Sequence, residues 1–220
     1  MALLVALEGL LSADNAMVLA VLVLGLPKAR QKKALRYGII GAFIFRTIAT
    51  LLAVYLIQLG WVKLVGAAYL LYLTYRHFAP AMGAEQRGVS APAQPAFGVS
   101  AFWATVIKVE LTDIVFAIDS ILVGVAMSPK TWVVITGGIL GIITMRMVIG
   151  QLLSLVERYP PLVDGAFIII GWVAVKLVFE YLYAEGYVAF EIPKPFSLGL
   201  IVFIFVISYV YARRREGARS

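Results

Sequence analysis

The sequence predicts an all-α membrane protein of seven transmembrane helices, built as an inverted repeat of three plus three helices with one further helix at the C-terminal end. Three observations carry that expectation. Of the 220 residues, 62% are hydrophobic and only 14% are charged, with a mean hydropathy of +0.95; soluble domains average roughly 25% charged residues. Apolar runs of about 20 residues, the length that crosses a bilayer as a helix, recur along the chain. A set of short patterns also occurs twice, once in each half.

The apolar segments read as residues 2–25, 37–58, 61–78, 99–127, 131–155, 162–183 and 197–212. The first lacks a basic leader and an Ala-x-Ala cleavage pattern and carries Glu8 and Asp14, so it reads as a helix of the mature protein rather than a signal peptide. Between the first and second segments lie Lys28, Arg30, Lys32, Lys33 and Arg36, read as a loop, and after the third lie Arg76 and Arg87. Arg158 and the tail Arg213, Arg214 and Arg215 fall on that same side, while the opposite loops hold only Lys63, Lys130 and Lys194 with Glu185 and Glu191. The excess of cations marks the cytoplasmic face, which places the N-terminus outside and the C-terminus inside. Trp61 and Trp132 lie near segment ends, where amphipathic rings favour the interface. Residues 79–98, rich in Ala, Pro, Gly and Gln and without a hydrophobic period, read as a flexible cytoplasmic linker. The expected organisation is therefore a first three-helix repeat (1–78), the linker (79–98), an inverted second repeat (99–183), and a seventh helix with a basic tail (184–220).

The repeat is read from particular residues. Asp14-Asn15 matches Asp119-Ser120, Pro27-Lys28 matches Pro129-Lys130, Gly41 to Arg46 matches Gly141 to Arg146, and Gly66-Ala67 matches Gly165-Ala166. Three helices per unit is an odd number, so the second copy must be inverted in the membrane, an arrangement found in many secondary transporters.

The stretch Lys108-Val-Glu110-Leu-Thr-Asp113-Ile-Val-Phe-Ala-Ile-Asp119-Ser120 puts three carboxylates inside an otherwise apolar span. An ionised Asp at mid-bilayer costs about 2.5–3.5 kcal/mol on insertion scales, so each demands a partner, water or a cation. The first segment holds Glu8, Asp14 and Asn15 in a matching arrangement. Packed antiparallel, the first and fourth helices would bring Glu8 level with Asp119 and Asp14 level with Asp113. Positions six apart on a straight helix are about 120° off a common face, so a local break is expected in each helix, with freed carbonyls joining the ligand set. Glu110, three residues before Asp113, shares its face and would form an inner waystation. The oxygen set Glu8, Asp14, Asn15, Glu110, Asp113, Asp119 and Ser120 suits a hard divalent ion, Mn²⁺, Mg²⁺ or Ca²⁺. There is no cysteine, which excludes disulfides, zinc–thiolate sites and thiol catalysis.

Arg46, Arg146, Lys108 and Lys176 also lie within apolar segments. They are candidates for charge pairing and coupling: Arg46 and Arg146 are repeat mates that could neutralise carboxylates when no ion is bound, and Lys108 could snorkel to the interface. Buried ion pairs would give the same residues a purely structural role, but five acids against four bases leave one group over. His77 reads as an interface residue, Glu180 as surface, and Gly137-x-x-x-Gly141 as a helix-packing motif.

The two acidic strings, together with Gly41-Ala-Phe-Ile-Phe-Arg46 and Gly171-Trp172 with Lys176, resemble the TerC family of membrane proteins, over nearly the whole chain. That family is similar to the wider LysE-type exporters. The resemblance implies manganese export across the bacterial cytoplasmic (inner) membrane, with tellurite resistance as the older label. It points to Glu8, Asp14 and Asn15 in the first motif and to Glu110, Asp113, Asp119 and Ser120 in the second. Almost nothing precedes the first helix and no soluble accessory domain is expected, which leaves regulation rather than the site in question. The expectation is a transporter and not an enzyme, with Mn²⁺ as transported ion, no prosthetic group, and the lipid bilayer as its surroundings. A proton or sodium ion would be the counter-ion, and the net charge of +7 is assigned to topology, not to nucleic acid. The oligomeric state is left open. Two other classes would use the same residues: an intramembrane aspartyl hydrolase, whose Gly-x-Gly-Asp string is absent, and a noncatalytic partner of a membrane stress or secretion complex.

Overall fold

The computed structural model describes residues 13–52, 60–79, 98–127 and 130–217. These form α1 (Ala13–Val23), α2 (Lys28–Leu51), α3 (Trp61–Phe78), α4 (Ala101–Met127), α5 (Thr131–Arg158), α6 (Pro161–Ala184) and α7 (Lys194–Gly217). Most of the linker expected over 79–98 lies outside the described residues.

α2 begins nine residues before the apolar segment does, so the basic stretch read as a loop is instead the first turns of a helix. Pro27 supplies the carbonyl that accepts from the Arg30 and Gln31 amides, and Lys, Ala, Arg and Gln after it are strong helix formers. Gln31 and Ala34 turn inward, and the Gln31 amide donates to Leu26 O at 2.9 Å. The Lys and Arg side chains point outward or lie part-exposed.

α4 is a single 27-residue helix running through Glu110, Asp113 and Ser120. The expected break at this motif is absent, because no Pro or Gly interrupts residues 101–123 and the Thr105 and Ser120 hydroxyls bond carbonyls of their own preceding turn. The matching break in the first segment lies outside the described residues.

Among the described residues four helices are long and apolar enough to cross a membrane: α2, α5, α6 and, within α7, Pro195–Arg214. α4 carries Lys108, Glu110, Asp113 and Asp119, which is why length alone does not place it with them.

The chain divides into two compact units, each drawn from both halves of the sequence: residues 1–59 with 91–153, and residues 60–90 with 154–220. In the first unit α4 packs on α2 and on α1. The face of α2 toward this core is a column of small residues, Ala34, Gly38, Ala42 and Ala49, interrupted by Arg46, while Ile40, Ile44 and Ile48 are exposed as lipid-facing side chains should be. Ala49, Ala117 and Ile121 pack together, flanked by Phe45 and Val125.

In the second unit α6 is central, packed on α3 and α7. Its buried residues run from Leu162 to Leu177. Gly66-Ala67 and Gly165-Ala166, two strings matched in the sequence, are all buried. Gly165 is pressed against the Ser208 hydroxyl of α7, and the Trp172 indole donates to Ser197 Oγ at 3.0 Å.

Candidate functional site

The column of small residues on α2 lets two arginines reach deep into the first unit. Arg46 Nη2 donates to Ser120 Oγ at 2.6 Å and its Nη1 donates to the carbonyl of Gly138 at 3.0 Å. Gly138 has to be glycine, since a Cβ there would lie 2.6 Å from Arg46 Cδ. Ser120 passes the bond on to Ala117 O at 3.1 Å, and Thr50 donates to Arg46 O at 2.7 Å. A guanidinium that is buried and bonded in this way is fixed in position.

Arg146 makes the reciprocal approach. Its Nη2 stands 3.0 Å from the place a Cβ on Gly38 would occupy, and Glu110 Oε1 stands 3.1 Å from that same point. Glu110 Oε2 lies against Gly41, where any side chain would collide with it. Arg46 therefore meets Gly138 and Arg146 meets Gly38, each glycine lying eight residues before the other arginine. The two contacts differ in one respect. Nε, Nη1 and Nη2 of Arg146, and Oε1 of Glu110, are buried without a hydrogen-bond partner among the described residues. Buried charged groups are rarely left so, and such a group marks a place where a further ligand or water belongs.

Asp113 is buried one turn from Glu110 on α4, and Ser120 lies seven residues further along the same face. Asn15, at the start of α1, is buried too. The structure thus brings Glu110, Asp113, Ser120, Arg46 and Arg146 into one unit, with Asn15 buried in that unit. Glu8 lies outside the described residues, and so do the side chains of Asp14 and Asp119; their levels relative to Asp113 are therefore not described. Among the described residues no three His, Asp or Glu side chains converge on one point. Lys108 is half-buried on α4.

Lys176 belongs to a different cluster. It bonds Glu180 Oε1 at 3.1 Å while Lys63 bonds Glu180 Oε2 at 3.1 Å, with the three side chains 14%, 10% and 20% exposed. Glu180 is therefore not a surface residue. It anchors α3 to α6, and the signal in the sequence was Lys176 four residues before it on one helix face. His77 bonds Asp164 at 2.9 Å and stacks on Phe167 with ring centroids 3.8 Å apart. Gly38, Gly41 and Gly138 were the residues the sequence reading passed over as site elements. Their recurrence ahead of Arg46 and Arg146 was the available sign.

Together, the apolar helices define a multi-pass integral membrane protein with charged groups buried among its helices. The chain belongs to the TerC family of integral membrane proteins, whose model matches residues 1–217. It is 42% identical over 99% of its length to YceF of Bacillus subtilis (strain 168), an uncharacterized membrane protein of which it covers 83%. It is also 39% identical over 79% of its length to YkoY of the same organism, likewise uncharacterized, of which it covers 57%. Alx of Escherichia coli (strain K12), whose name suggests a membrane-bound redox modulator, is 24% identical over 93% of this chain and is covered for 69% of its own length. No solved structure matches the chain.

Proposed function

We propose that this protein is a secondary transporter that exports divalent metal ions, Mn²⁺ foremost, across a bacterial cytoplasmic membrane. The observation that carries the reading is Glu110 Oε1: a carboxylate oxygen enclosed among apolar helices, one turn from buried Asp113, that accepts no hydrogen bond even with the Arg146 guanidinium near it. A hard oxygen ligand in that position fits a hard cation in transit better than a structural ion pair. Glu110 and Asp113 would take the ion from the cytoplasmic side. Asp119 and Ser120, with Glu8, Asp14 and Asn15 of the first motif, would complete its shell further along.

The seven spans and the inverted three-plus-three repeat belong to the same proposal, as do the outside N-terminus and the counter-flow of protons or sodium ions. The reciprocal arginine–glycine contacts and the packing of α3 on α6 support the repeat. Lys108 and Lys176 are left as structural or interfacial charges, and Arg46 and Arg146 as the coupling pair. The redox label of Alx has no thiol to act through in this chain, which contains no cysteine.

The test is flux in proteoliposomes that report Mn²⁺ and internal pH together. Mn²⁺ movement with opposite proton flow, lost in Asp119→Asn, is the expected result. Folded protein that moves none of Mn²⁺, Mg²⁺ or Ca²⁺ would sink the reading.

A further inference from the structure

We propose that Arg46 and Arg146 are alternating latches, one engaged while the other is released, so that the structure holds one of two states related by exchange of their roles. This rests on the transporter reading and adds to it the moving part. The argument begins from an asymmetry between two residues in matching places. Arg46 and Arg146 end the same string, Gly-x-x-x-x-Arg, and each reaches the glycine eight residues before the other. Arg46 is latched: two nitrogens are bonded, one to Ser120 Oγ at 2.6 Å and one to Gly138 O at 3.0 Å. Arg146 Nη2 stands 3.0 Å from the place a Cβ on Gly38 would occupy, yet none of its guanidinium nitrogens is bonded.

The acceptors for a second latch are supplied by the sequence match. The mate of Gly138 is Gly38, and the mate of Ser120 is Asn15, which is buried near the start of α1. In the exchanged state Arg146 donates to Gly38 O and to the Asn15 side-chain oxygen, while Arg46 leaves Ser120 and Gly138. A charge-assisted bond is shorter and stronger than a neutral one, so trading one such pair for another leaves the two states close in energy, which a carrier that must visit both requires. Glu110 biases the exchange. It has no acidic counterpart in the first repeat, where Val5 stands in its place. Beside Gly38 its unbonded Oε1 attracts the released Arg146 electrostatically and favours the state described. A divalent cation arriving at Glu110 and Asp113 repels that guanidinium and drives it onto its own latch. Gly138 carries the tighter crossing, since a Cβ there would lie 2.6 Å from Arg46 Cδ, while a Cβ at Gly38 would press on Arg146 Nη2 at 3.0 Å.

The absence of cysteine makes the test direct. Single reporters Ala117→Cys, beside the Ser120 latch, and Ala16→Cys, beside Asn15, are placed in the full chain in proteoliposomes and labelled with a membrane-impermeant cationic thiol reagent, without metal. Both positions are buried as found. Arg46→Gln should raise labelling at residue 117 and lower it at residue 16, each by about tenfold, the scale expected from losing charge-assisted bonds. Arg146→Gln should shift both reporters the opposite way, and the double variant should return the ratio toward that of the parent. Glu110→Gln should follow Arg46→Gln in sign, because it frees Arg146 to engage.

Shifts of the same sign in both arginine variants, or a double variant worse than either, would make the arginines structural only and overturn the proposal. Glu110→Gln behaving as Arg146→Gln does would show a static ion pair, with the same result. If a glutamine variant does not fold, Arg46→Lys and Arg146→Lys keep the charge and should give the same signs at smaller size. Reciprocal labelling without Mn²⁺ flux would remove the exporter reading and leave the latches. Flux without reciprocal labelling would do the reverse.

Discussion

The two compact units handle buried charge in opposite ways. In the second, both oxygens of Glu180 are bonded by lysines and Asp164 is bonded by His77. In the first, Arg46 is bonded, but the Arg146 guanidinium and Glu110 Oε1 are buried without hydrogen-bond partners. The difference separates two uses of a membrane-embedded charge. A satisfied network holds helices in one arrangement, because every alternative leaves a charge bare in a medium of low dielectric. An unsatisfied one leaves room for a transient occupant and for a second arrangement of its own side chains.

The largest test of that contrast is loss of function without loss of fold. If the proposed site is right, Asp113→Asn in the first unit should lower Mn²⁺ flux in proteoliposomes by about 100-fold, the upper end of what loss of a group supporting a metal site costs, while the purified protein stays monodisperse and helical. Wild-type flux in this variant would place the site elsewhere. Next in size is a loss of stability without loss of function: Glu180→Gln leaves Lys63 and Lys176 facing each other across a weak acceptor and should destabilise the protein by about 3 kcal/mol, read as a drop in Tm. Flux per folded molecule should be unchanged. Replacing Lys63, Lys176 and Glu180 together by Met should recover most of that stability, since no bare charge remains.

Glycine substitutions sharpen the comparison at smaller scale. Gly41→Ala pushes on the flexible end of Glu110 and should reduce flux by about tenfold while shifting stability by less than about 1 kcal/mol. Gly171→Ala meets the Thr74 methyl at 3.3 Å and should leave flux alone, at a stability cost of about 1 kcal/mol or less, measured by thermal unfolding in detergent. Ser197→Ala removes the acceptor of the Trp172 indole and should cost about 1 kcal/mol in the same assay, with no change in transport.

Much of this architecture was legible beforehand because membrane helices are selected by length and apolarity, properties read locally. The segments at 99–127, 131–155 and 162–183 correspond to α4, α5 and α6 within a few residues. The start of α2 was misread for a local reason as well. Lys and Arg end an apolar run but not a helix, and hydropathy alone cannot tell a basic loop from a basic helical turn. The break expected in α4 followed from asking Asp113 and Asp119 to share a face. The helix is unbroken, so positions 113 and 119 stand about 120° apart.

By itself the sequence determined that the chain lives in a membrane and that Glu110 and Asp113 share one helix face, and it matched Arg46 with Arg146 by their strings. Those conclusions depend on composition, periodicity and repetition, which need no partner. Only the tertiary structure decided which charges meet. It gave Glu180 to Lys63 and Lys176, bound Arg46 to Ser120 and Gly138, and left Arg146 unbonded beside Gly38 and Glu110. Pairing is set by which helix faces come within about 3 Å of one another, and that depends on glycines whose only sequence signal is the absence of a side chain.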